Sequence, residues 1–294
     1  PHTVEAPDTT VQELFDSMAD KYGKKTALIF YGKKISYKEL KDSTNRFAAA
    51  LTDLGVKKGD TVSLYLLNCP QYVIAYFGAL KTGAKITPIS PVYTTKEVKH
   101  QLTDSQAKTV VCEDMLYEIV KGTDVELDNV ILSNIADYLP KLKKLFGKTA
   151  LSKAYQGRSA PSAETIRQAG LHTFTNLLKR YPPTPPDVSM NPKKDLAALP
   201  YTGGTTGLPK AAMLTHYNLV SLQKQVISFW PFMEEGNETV IAFLPFFTHS
   251  TRPFVWIISG TGSLPSLQAT LKGWISPAWR AFLSLNSRGS RSRA

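Results

Sequence analysis

The residues best suited to chemistry form one run, Tyr201-Thr202-Gly203-Gly204-Thr205-Thr206-Gly207-Leu208-Pro209-Lys210. Glycines at 203, 204 and 207 let the backbone turn tightly and aim several N–H groups at a single anion. Thr202, Thr205 and Thr206 add hydroxyl donors at the same concavity, and Lys210 adds a full positive charge. Such a set of donors suits phosphate. It is not a Walker A loop, which ends in G-K-[ST], because Pro209 precedes Lys210 and Ala211 follows it. Elsewhere the reactive residue types are dispersed. His2, His100, His172, His216 and His249 are scattered, no acidic pair has metal-ligand spacing, and no G-x-S-x-G elbow occurs. His216 is expected to make a core or supporting hydrogen bond rather than to catalyse. Met213 and Leu214 read as strand core, and Cys69 as packing at a helix start.

The run resembles the signature loop of the adenylate-forming superfamily, which includes acyl-CoA synthetases, firefly luciferase and peptide-synthetase adenylation domains. That pattern reads Y-T-S-G-T-T-G-x-P-K-G, with T-H a few residues on. Here a glycine stands in the serine position, as in long-chain fatty-acyl-CoA ligases of the family, and Ala211 replaces the last glycine. The resemblance spans about residues 10–247 and has a second block. This runs from Leu14-Phe15 through Ala48-Ala49-Ala50-Leu51 and Gly59-Asp60 to Phe77-Gly78-Ala79-Leu80-Lys81-Thr82-Gly83-Ala84.

The resemblance implies the N-terminal part of an ATP-dependent long-chain fatty-acid–CoA ligase, which converts a carboxylate to acyl-AMP and then to acyl-CoA. ATP, Mg²⁺ and coenzyme A are the implied cofactor and co-substrates. Thr202, Gly203, Gly204, Thr205, Thr206, Gly207 and Lys210 would grip the β- and γ-phosphates, Thr202 would also approach the metal, and Phe247 and His249 would border the acyl site. The family's Y-G-x-T-E block, ribose aspartate, hinge and C-terminal catalytic lysine have no counterpart in these 294 residues. A fragment with little or no ligase activity of its own is therefore expected. The alternative is a non-catalytic nucleotide- or acyl-binding module that touches a membrane or another protein.

Composition is compatible with this. The apolar content of 43% is that of a globular core, and the two cysteines, Cys69 and Cys112, support neither a disulfide framework nor a zinc site. A reducing, cytoplasmic setting is expected. No apolar run reaches the length of a membrane span. The formal charge of +11 would ordinarily suggest nucleic acid. However, residues 248–294 carry Arg252, Lys272, Arg280, Arg288, Arg291 and Arg293 with no acid, and phosphate-bearing substrates account for the mild remaining bias. No nucleic-acid partner is expected.

The elements that must hold the loop follow from periodicity. Residues 11–22 read as an amphipathic helix, 26–31 and 34–37 as a hairpin, and Ser36 with Glu39 as a capping box opening a helix that stops at Gly55. Strands at 61–66, 85–88, 109–112 and 129–132 alternate with helices beginning at Pro70 and Thr94. This alternation predicts an α/β fold, a doubly wound parallel sheet with helices on both faces. The expected division is a first α/β subdomain over 1–190, the start of a second over 191–247 carrying the phosphate loop, and an atypical tail over 248–294. A basic insert occupies about 134–186. Its lysines at 141, 143, 144 and 148 read first as a solvated helix face, with peripheral contact to anionic lipid as the alternative. A stiff extended linker, Tyr181-Pro182-Pro183-Thr184-Pro185-Pro186, leads to the loop. A helix is expected from Asn218 to Phe229 and a strand over 240–244.

After Phe247 the composition shifts: three of the four tryptophans and no acid lie in residues 248–294. A change of reading frame near codon 247 would explain it. Read one base earlier, the Trp274-Ile275 junction gives GAT, an aspartate codon, within a stretch that then permits a family-like acidic helix. Natural divergence and a deliberate boundary are the alternatives.

Overall fold

The computed structural model describes residues 5–140, 159–202, 208–229, 242, 246 and 266–267. The basic segment beyond residue 140, the strand expected at 240–244 apart from Ala242, and the tail apart from Ser266 and Leu267 lie outside the described residues.

The chain opens with α1 (Val11–Lys21), a hairpin of β1 (Thr26–Phe30) and β2 (Lys33–Ser36), and α2 (Tyr37–Asp53). Both helices start at full capping boxes, Thr10 with Glu13 and Ser36 with Glu39, each satisfying two backbone N–H groups that would otherwise lack partners. Then β3 (Thr61–Tyr65), α3 (Pro70–Lys81), β4 (Lys85–Pro88), α4 (Thr95–Asp104), β5 (Thr109–Glu113), α5 (Tyr117–Lys121) and β6 (Asn129–Ser133) follow in alternation. After α6 (Ala163–Gln168) come β7 (His172–Thr173), α7 (Phe174–Arg180), β8 (Leu196–Ala198), β9 (Tyr201–Thr202), β10 (Lys210–Ala211), β11 (Leu214–Thr215) and α8 (His216–Phe229). A last described strand, β12 (Ser266–Leu267), lies parallel to β1.

Seven strands make one sheet in the order β11-β8-β4-β3-β5-β6-β7, parallel throughout except for β11, which runs antiparallel to β8 at the margin. Strand alternation divides the core. On one side Val62, Leu64, Ile86, Val111 and Ile131 join α1, α2, α3 and α7. On the other, Tyr65, Val110, Cys112 and Leu132 meet α4 and α5. The doubly wound expectation is therefore met, with helices on both faces.

The innermost helix is α3, whose twelve residues are all buried. A helix apolar on every side belongs in the interior. Two glycines make its position attainable. A Cβ at Gly78 would lie 2.9 Å from Phe47 Cδ1 and 3.1 Å from Thr44 O, so α2 and α3 touch backbone to ring. Gly83, past the helix end, has φ +76°, which a side chain would strain. Lys81, at the buried end of α3, is held by Asp16 at 2.5 Å and by Asn45 Oδ1 at 2.7 Å. Burial pulls its ammonium below the usual lysine range, against the pull of Asp16.

Cys69 and Cys112 are free and buried, Cys69 forming the N-cap of α3 as expected, and burial raises both thiols. The proline-rich stretch has neither helix nor strand and is strapped down at several points. Arg46 Nη1 donates to Tyr181 O at 2.6 Å, and Lys58 donates to Ser189 O at 2.8 Å and pairs with Asp195 at 2.7 Å. The expected subdomain division at 190 falls in this strap, and the chain beyond it adds β8 and β11 to the existing sheet. Among the described residues no helix is long and apolar enough to cross a membrane.

Candidate functional site

The two ends of the Thr/Gly run are the legs of a hairpin. β9 and β10 pair antiparallel with Thr202 opposite Lys210 and Tyr201 opposite Ala211. Thr202 Oγ1 donates to Lys210 O at 3.4 Å, and both residues are exposed. The residues between them therefore close a loop whose two ends are held side by side. Gly203, Gly204, Thr205, Thr206 and Gly207 lie outside the described residues, as do Phe247 and His249. Leu208, at the far side of the loop, is 65% exposed.

What holds the legs is α4. His100 Nε2 donates to Pro209 O at 2.9 Å, and the imidazole meets the Tyr201 ring edge-on with centroids 6.2 Å apart. One turn later Asp104 accepts the Tyr201 hydroxyl proton, and burial together with this carboxylate holds the phenol well above its usual range. Between them Gln101 Nε2 donates to Thr87 Oγ1 at 2.7 Å, and Thr87 donates in turn to Leu199 O at 3.1 Å. The helix thus bonds directly to the hairpin and, through Thr87 of β4, to the carbonyl of Leu199 just before it. Neither His100 nor Asp104 was marked by the sequence, because their partners lie far away along the chain and no periodic signal links them.

Beyond the hairpin, Met213 corrects an expectation. It lies between β10 and β11, outside both, and is 68% exposed instead of in a strand core; Leu214 is in β11 and half-buried. His216 is fully buried at the start of α8, where its Nδ1 accepts the Val11 N–H at 3.3 Å. That bond leaves the proton on Nε2, and burial lowers the imidazole to about 4 despite the opposing fields of Asp195 and Glu13. His216 is a neutral capping group for α1, the supporting role expected of it.

Near the acyl-site residues expected from the sequence, the described part is Phe246. Its N–H donates to Asn68 Oδ1 at 2.8 Å, its carbonyl accepts from the Tyr72 hydroxyl at 3.2 Å, and its ring lies 5.3 Å from that of Tyr72. Asn68 Nδ2 also donates to Ala242 O at 3.3 Å, so this turn is stapled to the start of α3. At the other margin of the sheet, burial raises the carboxyls of Glu113 and Asp114, which are held by Ile135 N–H and Asn134 Nδ2 at 2.8 Å each. Among the described residues no group of three or more His, Cys, Asp or Glu side chains could hold a metal ion.

The fold is an open, doubly wound α/β sheet accompanied by a separate two-stranded Thr/Gly hairpin. Residues 15–264 match the family described as AMP-binding enzyme, and the chain belongs to that family. The match continues past Phe247, so the likeness reaches further into the tail than the sequence reading placed it. The chain is similar to the long-chain-fatty-acid–CoA ligase of Bacillus subtilis, 34% identical over 253 residues, covering 84% of this chain and 44% of that one. A crotonobetaine/carnitine–CoA ligase of Salmonella paratyphi A is 32% identical over 218 residues, covering 71% of this chain and 37% of its own. Among solved structures, a long-chain-fatty-acid–CoA ligase from Archaeoglobus fulgidus superimposes with a TM-score of 0.73 at 24% identity over 90% of this chain and 48% of that one. An anthranilate–CoA ligase bound to anthranoyl-AMP gives 0.70 at 18% identity, covering 88% of this chain and 45% of its own. The chain spans less than half the length of these relatives.

Proposed function

We propose that this chain is the N-terminal part of an ATP-dependent fatty-acid–CoA ligase and that its hairpin loop binds the β- and γ-phosphates of ATP. The observation that carries the reading is the pairing of Thr202 with Lys210, which presents a hydroxyl and an ammonium at the two ends of a glycine- and threonine-rich loop. Family membership supports it. In the reaction a carboxylate oxygen attacks the α-phosphate in line and pyrophosphate departs, and fixed donors at the departing phosphates lower the barrier by stabilising the charge that develops there. Lys210 supplies such a charge, and the loop amides and hydroxyls distribute the rest. Mg²⁺ is proposed to travel with the phosphates, with the exposed Thr202 as its hydroxyl contact. There it would neutralise phosphate charge. Phe247 and His249 are proposed to border the acyl group, next to the turn that Asn68 and Tyr72 fix at Phe246.

The loop alone offers no group for adenine, ribose or the α-phosphate, so the chain by itself is proposed to bind nucleotide weakly and to turn over little. The test is titration calorimetry with Mg²⁺-ATP and with tripolyphosphate, alongside ATP–pyrophosphate exchange with a long-chain fatty acid. Saturable binding that Lys210→Ala weakens at least about tenfold, with an unchanged melting temperature, is the expected result. Indifference of both ligands to Lys210→Ala would remove the basis of the proposal.

A further inference from the structure

We infer that His100 is a positioning residue for the phosphate loop, setting through the Pro209 carbonyl the direction from which Lys210 meets its anion. The inference rests on the loop's proposed role and adds to it a residue from a different part of the fold. The physical link is the planarity of the peptide unit. The carbonyl of Pro209 and the N–H of Lys210 belong to one rigid plane and point in opposite directions. When His100 Nε2 donates to the carbonyl at 2.9 Å, the Lys210 N–H is turned away from α4 at the same stroke. Pro209 has a fixed φ and no N–H, so its carbonyl is the one backbone hydrogen-bonding group that this residue offers.

The second leg is held from the same helix face. Asp104 stands four residues after His100, one turn along α4, and takes the Tyr201 hydroxyl next to Thr202. The His100 imidazole lies edge-on against that same Tyr201 ring, at 85° between planes. One face of α4 therefore holds the residue before Thr202 and the residue before Lys210, the two positions from which the loop departs and returns. The two legs bond to each other through a two-residue ladder, the 3.4 Å contact of Thr202 with Lys210 O and, just below them, the bond of Ala212 N–H to Pro200 O at 2.9 Å. Such a short ladder has little stiffness of its own, and the bonds from α4 add an outside anchor at Tyr201 and Pro209.

A packing role and a positioning role are separated by three substitutions in the full chain. His100→Ala removes ring and donor, His100→Phe keeps a ring against Tyr201 without the donor, and His100→Gln places an amide N–H close to the position of Nε2. The readouts are Mg²⁺-tripolyphosphate affinity and hydrogen–deuterium exchange of the 201–212 backbone. His100→Ala and His100→Phe are both expected to lose affinity on the order of tenfold and to exchange faster at Lys210 and Ala211, while His100→Gln stays within about twofold of the parent chain. Equal affinity and exchange in all four proteins overturns the proposal. So does a His100→Phe chain that behaves like the parent, since the ring alone then suffices. If the parent chain itself fails to bind tripolyphosphate, the phosphate-loop reading fails, and exchange alone decides the anchor: faster exchange in the Ala and Phe variants with recovery in Gln upholds it, and no difference ends it.

Discussion

His216 closes the start of a helix that begins 205 residues before it: its Nδ1 takes the N–H of Val11, the first residue of α1. The start of α1 and the start of α8 are thereby joined by a neutral imidazole, buried next to Asp195 and Glu13.

That bond requires an unprotonated Nδ1, so stability should depend on pH. The imidazole titrates near 6.5 when unfolded and at about 4 when folded. The unfolded chain thus binds the proton first, and the contribution is complete above 6.5 and is lost as pH falls toward 4. Across that window the loss approaches about 3 kcal/mol. Urea melts at a series of pH values should show this slope, and His216→Asn, whose Oδ1 can accept the same N–H without titrating, should flatten it. An unchanged slope in His216→Asn would assign the dependence to other groups.

Replacing glycine by alanine within a helix ordinarily stabilises it by about 1 kcal/mol. At Gly78 the sign should reverse, because the added methyl would sit 2.9 Å from Phe47 Cδ1. Gly78→Ala is expected to cost about 1–3 kcal/mol in equilibrium denaturation. A gain in stability would mean that α2 and α3 separate more easily than their contact suggests.

For the pair of Asp16 and Lys81, removing either partner should have unequal effects. Asp16→Ala leaves a buried ammonium with Asn45 as its remaining described oxygen partner, at a cost of about 3 kcal/mol. Lys81→Met replaces the charge by a side chain of similar length and should stay within about 1 kcal/mol of the parent. Equal destabilisation by the two substitutions in thermal melts would contradict a desolvated ammonium.

Asn68 fixes the turn at Phe246 from both sides of its amide, accepting at 2.8 Å and donating at 3.3 Å. Asn68→Ala is expected to cost about 1–2 kcal/mol and to raise amide exchange at Phe246. Exchange that does not change at Phe246 would show that the Tyr72 contacts are sufficient.

The parts of this fold that were legible in the sequence are those set by local chemistry. Ser36 and Glu39 announce a helix start because the capping box is a four-residue pattern, and Pro70 marks a first helical turn for the same reason. Thr10 and Glu13 form the same pattern, which periodicity alone had not singled out. The buried strands β3 and β5 were visible as short runs rich in β-branched and apolar residues. Met213 misled because an apolar type beside Leu214 looks like strand, whereas the chain steps out of one ladder and into another at that residue. The contacts of His100 with Pro209 and of Asn68 with Phe246 span 109 and 178 residues, and nothing near either residue encodes them. The loop was found by its composition, and its anchor only by the fold.

The insertion of β8 next to β4 has a consequence during synthesis. Ile86 pairs with Ala198, yet the strands bonded to β3 and β5 have all been synthesised by Ser133. At roughly 5–20 residues per second, the free side of β4 waits on the order of ten seconds for its neighbour. For that interval a nascent chain carries a bare, apolar strand flank that a chaperone can shield and another nascent chain can capture.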